Sequence, residues 1–345
     1  MSCNSIGASA PELYVQIHHR IVAALSSCLD VDAVMSIDEM MLRLEGDHRS
    51  EAAASGIAAD IKAALRRELG EFMRCSIGVG PNRLLAKMAA DMMKPDGFTV
   101  IHAETLPDRL YNLKLQDFVG IGSNMERRFW KYGITTVEQM YRMTVEQMFR
   151  VWESKLMGRV WHGRIRGDEI PDAPIKKSSI GHSHVLPPET RNDDSARAIL
   201  LCMTHKAAAH MRRDRYIAQS ISISIDYMYA SGSWNSRRRV VSTCDTHSLC
   251  WEVIEMWARR PAGKPLKVGV VLGDLIPVRS ATRPLFDESR EKEQISVAMD
   301  LINDKLGDHA VYLGGMFGAA KHDPMRISFT MIPELRRTHK SVDLT

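Results

Sequence analysis

The chain has 345 residues, room for roughly two or three domains. Hydrophobic residues make up 45% and charged residues 26%, a globular composition that excludes a disordered tail; 46 Lys and Arg against 42 Asp and Glu leave a net charge of +4, which permits a polyanionic partner without demanding one. No apolar run approaches the ~20 residues of a membrane span, the N-terminus lacks the pattern of a secretory signal, and the six cysteines form no C-x-x-C pair, so the expectation is a cytoplasmic protein with reduced thiols and no membrane partner.

In chain order, residues 11–28 read as a helix, with Leu13, Ile17, Ile21, Val22 and Leu25 near helical spacing. Residues 31–44 form a strand-like apolar segment with two acids in the middle. The Ala-, Lys-, Arg- and Glu-rich stretch 50–70 predicts a helix. A strand (75–80), a Gly-Pro turn, a helix (82–93), a Lys-Pro-Asp-Gly turn and a strand (98–101) follow, which together argue for a mixed α/β layer. From 105 to 171 helical patterns alternate with short glycine turns, and 168–177 is a Pro-bearing, charged linker candidate. Alternating segments at 221–229, 237–244 and 266–276, with helices at 193–213 and 246–259, predict a separate α+β domain. A charged helix (288–306) and two short strands complete the chain. No internal repeat is evident.

Three motifs carry chemistry. In Ser36-Ile37-Asp38-Glu39, two neighbouring acids within an apolar segment repel one another unless a cation compensates, and Mg²⁺ takes oxygen ligands. Successive strand residues face opposite ways, so both serve one ion only at a bend, bulge or hairpin end; the bland alternative is an exposed strand end. Gly78-Val79-Gly80-Pro81-Asn82 opens a helix and could offer backbone N–H groups to phosphate, although it lacks the Walker pattern. Lys94 after that helix is either a solvated C-terminal lysine or a point charge for a triphosphate. Val119-Gly120-Ile121-Gly122, followed by Arg127, Arg128 and Lys131, reads either as the hairpin of a helix-hairpin-helix that binds a phosphate through amides, or as a plain helix–helix turn. Arg212, Arg213 and Arg215, and the run Arg237, Arg238 and Arg239, are basic clusters that are either solvated faces or phosphate contacts. Cys244, His247 and Cys250 lack a fourth partner and the spacing of a zinc site.

SIDE, SIGVGPNRLLAKMAADMMKPDG, VGIG and KKSSIGHSHVLPPETR, in this order and spacing, resemble the Y-family translesion DNA polymerases near the bacterial DNA polymerase IV branch, over most of residues 12–280. The late segment YLGGMFGAAKHDPMRISFTMIP resembles the C-terminal extension of some bacterial members. The resemblance implies an α+β multidomain fold: a partial palm at 1–104, a helical thumb at 105–172, a linker at 173–177, a DNA-gripping little finger at 178–278 and an extension at 279–345. It implies template-directed DNA synthesis past damaged bases, with primer–template DNA and a deoxynucleoside triphosphate as partners and two Mg²⁺ ions as cofactors. Asp38 and Glu39 would be catalytic metal ligands, with Ser36 beside them. Lys94 would contact the triphosphate; Gly120, Gly122, Arg127, Arg237 and Arg238 would contact DNA. Thr282-Arg283-Pro284-Leu285-Phe286 sits where related proteins carry a Gln-x-x-Leu-Phe-like sliding-clamp peptide, with Thr282 in place of the glutamine.

One departure stands out. The family begins with a palm strand bearing a further metal-bridging aspartate, followed by aromatics and a fingers domain. Here Tyr14 is the only aromatic before Phe72, and the only acids before Asp38 are Glu12, Asp30 and Asp32. The expectation is a chain that starts inside the palm, as a truncated, split or degenerate form, and that alone has little or no polymerase activity. The competing expectation is a non-catalytic accessory protein that binds damaged DNA. A helix-hairpin-helix nuclease or glycosylase fits less well, because no further catalytic constellation accompanies the hairpin.

Overall fold

The computed structural model describes residues 11–172, 177–228, 232–281 and 288–319, in two compact units, one on each side of the segment 173–176. The fold is mixed α+β.

In the first unit, α1 (Pro11–Ser26) packs against α2 (Glu51–Leu69), and β1 (Val31–Val34) pairs antiparallel with β2 (Met40–Leu42). The expected single strand over 31–44 is thus a hairpin, and the turn holds the acidic motif. Ser50 starts α2 by accepting a hydrogen bond from the Ala53 amide at 3.3 Å, the usual N-cap device. Ala24, Leu25, Ile61, Ala64 and Leu65 make a small core against which Met40, Leu42 and Ile77 pack. Next, β3 (Ile77–Val79) lies parallel to β4 (Phe98–Val100), with α3 (Arg83–Met92) as the crossover that parallel pairing demands. The helix sits directly on the strand. A Cβ built on Gly78 would fall 2.1 Å from both the Ala86 carbonyl oxygen and the Ala90 nitrogen. Gly78 and Gly80 therefore serve close strand–helix packing, not a phosphate cradle.

Four short helices follow: α4 (Ser123–Lys131), α5 (Val137–Tyr141), α6 (Val145–Trp152) and α7 (Lys155–Arg164). Thr-Val-Glu-Gln-Met occurs at 136–140 and again at 144–148, a repeat too short to stand out in the sequence. Both copies form a reciprocal capping box, Thr136 with Gln139 and Thr144 with Gln147, so one pentapeptide starts two successive helices. The core of these helices is continuous with α3: Leu85, Met88, Ile101, Phe118, Phe129, Met140, Met148 and Ile165 belong to one buried cluster.

In the second unit the elements are β5 (Ser179–Val185), α8 (Asp193–Arg213), β6 (Tyr216–Tyr227), β7 (Ser233–Thr243), α9 (Thr246–Trp257), β8 (Pro265–Gly273), β9 (Ile276–Pro277) and α10 (Glu288–Leu306). The antiparallel sheet runs in the order β5-β8-β6-β7, with β9 paired to one end of β6. Ile221, Ile223, Ile225, Val268, Val270 and Leu272 share one face and bury it against α8 and α9. The charged helix expected at 288–306 packs on this unit. Arg212, with a side chain only 6% exposed, makes a bidentate pair with Asp300 at 2.7 and 2.8 Å and also reaches the Cys244 carbonyl. The two short strands expected near the C-terminus and the clamp-like segment Thr282–Phe286 lie outside the described residues.

Candidate functional site

The acidic motif occupies the β1–β2 turn. The Met35 and Ser36 amides both donate to the Glu39 carbonyl, at 2.8 and 3.1 Å, and close the hairpin. Buried Ser36 donates its hydroxyl to Asp38 Oδ1 at 2.5 Å and accepts from the Asp38 amide at 3.3 Å, which fixes the aspartate beside the turn. His18 of α1 lies 2.8 Å, through Nδ1, from the Ile37 carbonyl. A carbonyl can only accept, so this ring nitrogen carries the proton. The turn is therefore tied to the helix beneath it, and Asp38 and Glu39 both remain exposed.

Glu39 reaches α3. Its Oε1 pairs with Lys87 Nζ at 2.6 Å; Lys87 also lies 3.4 Å from Asp91 Oδ1, and Asp91 pairs with Lys94 at 2.5 Å. Burial lowers the Lys87 pKa, but Glu39 and then Asp91 outweigh it and hold the ammonium above the ordinary lysine value. An alternating row of charges thus joins the acid turn to Lys94. Sequence reasoning assigned no role to Lys87 or Asp91, although their i, i+4 spacing with Lys94 three residues further on puts all three on one side of the helix end. The Lys-Pro-Asp-Gly turn that carries Lys94 is anchored to α2. Asp96 adopts a left-handed backbone (φ 56°) and pairs with Lys62 at 3.1 Å and Arg66 at 3.0 Å. The Lys62 hydrogen bond, reinforced by both positive charges, keeps the Asp96 carboxyl below the usual range.

The start of α3 is already filled. Asn82, 7% exposed, caps it by accepting from the Leu85 amide at 3.0 Å, and its Nδ2 donates to the carbonyls of Arg164 and Asp168 at 2.8 and 3.0 Å. The phosphate-binding reading of this helix end does not hold, because the end of α7 is bonded to its capping side chain.

The glycine hairpin differs. The Ile121 amide donates to the Phe118 carbonyl at 2.9 Å, and Gly120 sits at φ 102°, where a Cβ would also lie 3.0 Å from Trp161. Gly122 is the N-cap of α4 without a side-chain acceptor, and a Cβ there would meet open space. Gly120, Gly122 and Arg127 are thereby grouped at one helix start, with Arg127 hydrogen-bonded to Asn124. The first helix expected before the hairpin is only the 3-10 turn Leu115–Asp117.

In the second unit, strand alternation separates the arginine run. Arg238 faces the helices and pairs with Glu252 of α9 at 2.5 Å. Arg237 and Arg239 lie on the opposite, open face; Arg237 pairs with Asp274 at 2.7 Å. The Arg237 hydrogen bond, and then that of Ser220, keep Asp274 below the usual carboxylate range. The same face is lined by Ser220, Ser222 and Ser224, which are in register with Gly273, Val271 and Gly269 of β8. It is a face of small residues with Val271 and Val241 exposed on it and cations at its β7 edge. Burial pushes the Cys244 and Cys250 thiols up to about 11 and about 12, which makes both poor metal ligands near neutral pH.

Two carboxylates without nitrogen or sulfur donors suit a hard cation such as Mg²⁺, which keeps waters and shares its remaining ligands with substrate phosphates. Among the described residues no group of three or more His, Cys, Asp or Glu gathers closely enough to hold an ion by itself, so Asp38 and Glu39 fit a partial site. Among the described residues no helix is long and apolar enough to cross a membrane.

The impB/mucB/samB family model matches residues 6–91, and the model of that family's C-terminal domain matches residues 177–285. A DNA polymerase IV of Pelotomaculum thermopropionicum is 27% identical over 307 residues, which cover 86% of this chain and 75% of the relative. The DNA polymerase IV of Moorella thermoacetica is 27% identical over 309 residues, covering 87% and 76%. A solved Y-family DNA polymerase chimera is similar in fold, with a TM-score of 0.59, 22% identity and 78% of each chain covered.

Proposed function

The chain belongs to the impB/mucB/samB family and is a Y-family, DNA polymerase IV-like protein, and from that premise we propose that it serves template-directed DNA synthesis past damaged bases. The observation that supports a nucleotidyl-transfer site most directly is the row Glu39–Lys87–Asp91–Lys94, which links the acid turn to a lysine suited to a triphosphate. Asp38 and Glu39 would hold Mg²⁺, whose charge would neutralise the reacting phosphates. Lys94 would bind and orient the triphosphate of the incoming deoxynucleotide as a point charge. Ser36 and His18 keep the acid turn in place. The amides at Gly122 and the Arg127 guanidinium would hold one DNA phosphate. Arg237 and Arg239, beside the small serines and glycines of the open sheet, would track the duplex backbone without reading bases. In this reading Arg238 braces β7 against α9.

A second reading has its own support. The second unit carries Arg237 and Arg239 on an open sheet face, which needs no metal ion to hold a phosphate. That favours a chain that binds damaged DNA while adding little synthesis of its own. Primer extension over a template lesion in Mg²⁺, run beside DNA binding at several salt concentrations, separates the two. Extension that disappears in Asp38→Ala supports the polymerase. Salt-sensitive binding with no extension supports the accessory. Salt-insensitive or absent DNA binding overturns both.

A further inference from the structure

We infer that Asp91 is a latch on Lys94, released when Glu39 exchanges Lys87 for a divalent cation. This rests on the acid turn being a metal site, and it concerns how that site and the triphosphate lysine are coupled.

The geometry carries it. One carboxylate, Asp91 at the last turn of α3, is shared by two ammonium groups, Lys87 at 3.4 Å and Lys94 at 2.5 Å. A negative charge at a helix C-terminus opposes the helix dipole, and cations beside it offset that repulsion. Lys87 is the less exposed lysine, at 27% against 57% for Lys94, and its closer partner is Glu39 at 2.6 Å. With Lys87 drawn mainly to Glu39, Asp91 holds Lys94 more closely and keeps that lysine folded back on the end of α3. A divalent cation on Glu39 repels the neighbouring ammonium. Lys87 then turns to Asp91, its i, i+4 neighbour, and Lys94 loses its partner and becomes available to a polyphosphate. Asp91 acts here through Lys94 and is a positioning residue, not a catalytic one.

Lysine labelling by a limiting amine acylating reagent, read by mass spectrometry of the full chain, tests this without synthesis. In metal-free buffer, Asp91→Asn should raise the Lys94 labelling rate and tighten binding of inorganic tripolyphosphate, each by about two- to fivefold, the worth of an exposed ion pair. Asp91→Glu should restore the native rate, since it keeps the charge and the reach. In the native chain Mg²⁺ should raise Lys94 labelling, and Lys87→Gln should abolish that rise. Unchanged Lys94 labelling in Asp91→Asn overturns the latch. Mg²⁺ that alters Lys87 labelling but not Lys94 also overturns it, while leaving the metal site intact. Mg²⁺ that alters neither lysine removes the metal-site reading and, with it, the release step.

Discussion

Replacing Asn82 with alanine breaks the joint between α3 and the end of α7. Three contacts vanish at once: the cap on the Leu85 amide and the two hydrogen bonds to the Arg164 and Asp168 carbonyls. Loss of an asparagine N-cap costs about 1 kcal/mol, and each buried hydrogen bond about 0.5–1.5 kcal/mol. Together this is roughly 2–4 kcal/mol, or a thirty- to several-hundredfold rise in the opening equilibrium. Hydrogen exchange followed by mass spectrometry reads it: peptides of α3 and of residues 161–169 should lose protection by that factor, while peptides of the second unit keep theirs and act as the internal control. Asn82→Asp separates the contributions. It retains the acceptor that caps the helix but turns a carboxylate toward two carbonyls, so it should recover only the cap, about 1 kcal/mol. If Asn82→Asp protects these peptides as well as the native asparagine, the donor bonds carry no weight and the account of the joint is wrong.

Gly78→Ala forces a methyl group onto backbone atoms of α3 that lie 2.1 Å away; helix and strand must separate, at a cost of about 3 kcal/mol or more in urea unfolding, and a neutral variant would contradict the packing. In fluorescence anisotropy with duplex DNA, Arg237→Ala and Arg239→Ala should each reduce the slope of log affinity against log salt by about 0.9, whereas Arg238→Ala should leave it unchanged, being directed at Glu252 instead. His210 supplies a pH dependence. Burial, then the charges of Arg213 and Lys206, keep its imidazole below the ordinary histidine value, with Lys177 adding to them, Asp214 opposing and the His182 ring 5.2 Å away. The unfolded chain therefore takes up the proton first. The stability due to neutral His210 is complete above about pH 6.5, the unfolded value, and falls as the pH drops through the lower folded one. Thermal melts between pH 7.5 and 5 should show this loss, and His210→Gln should flatten it.

Local rules read the elements of this chain well and its pairings poorly, for a physical reason visible at individual residues. Strand and helix periods placed β6, β8, α8 and α9 because each depends on neighbours a few positions away. The acid turn was harder. Between Met35 and Glu39 there is no Gly, Pro or Asn, and only Ser36 and Asp38 favour a turn, so the turn signal was weak; the requirement that two adjacent carboxylates share a side was the other hint of a bend there. The role of Lys87 was hidden for a different reason: its partner Glu39 is 48 residues away, brought near by the packing of α3 against β3 that Gly78 permits. Asn82 meets Arg164 and Asp168 across more than 80 residues in the same way.

The arginine run shows the opposite case, where a local rule was at hand and decides the outcome. Three consecutive strand residues cannot all meet one polyanion, because alternate side chains face alternate sides. In β7 the side of Arg238 is covered by α9, so Glu252 takes its charge, and the side of Arg237 and Arg239 is left facing the serine–glycine surface. Had the sheet been covered on its other face, Arg238 would have been the exposed cation and its two neighbours the braces. Which arginines are left on the open face, and so would meet DNA in the proposed function, is therefore set by which sheet face the Ile221, Ile223 and Ile225 stripe buries, and a one-residue slip of β7 on β6 would exchange their roles.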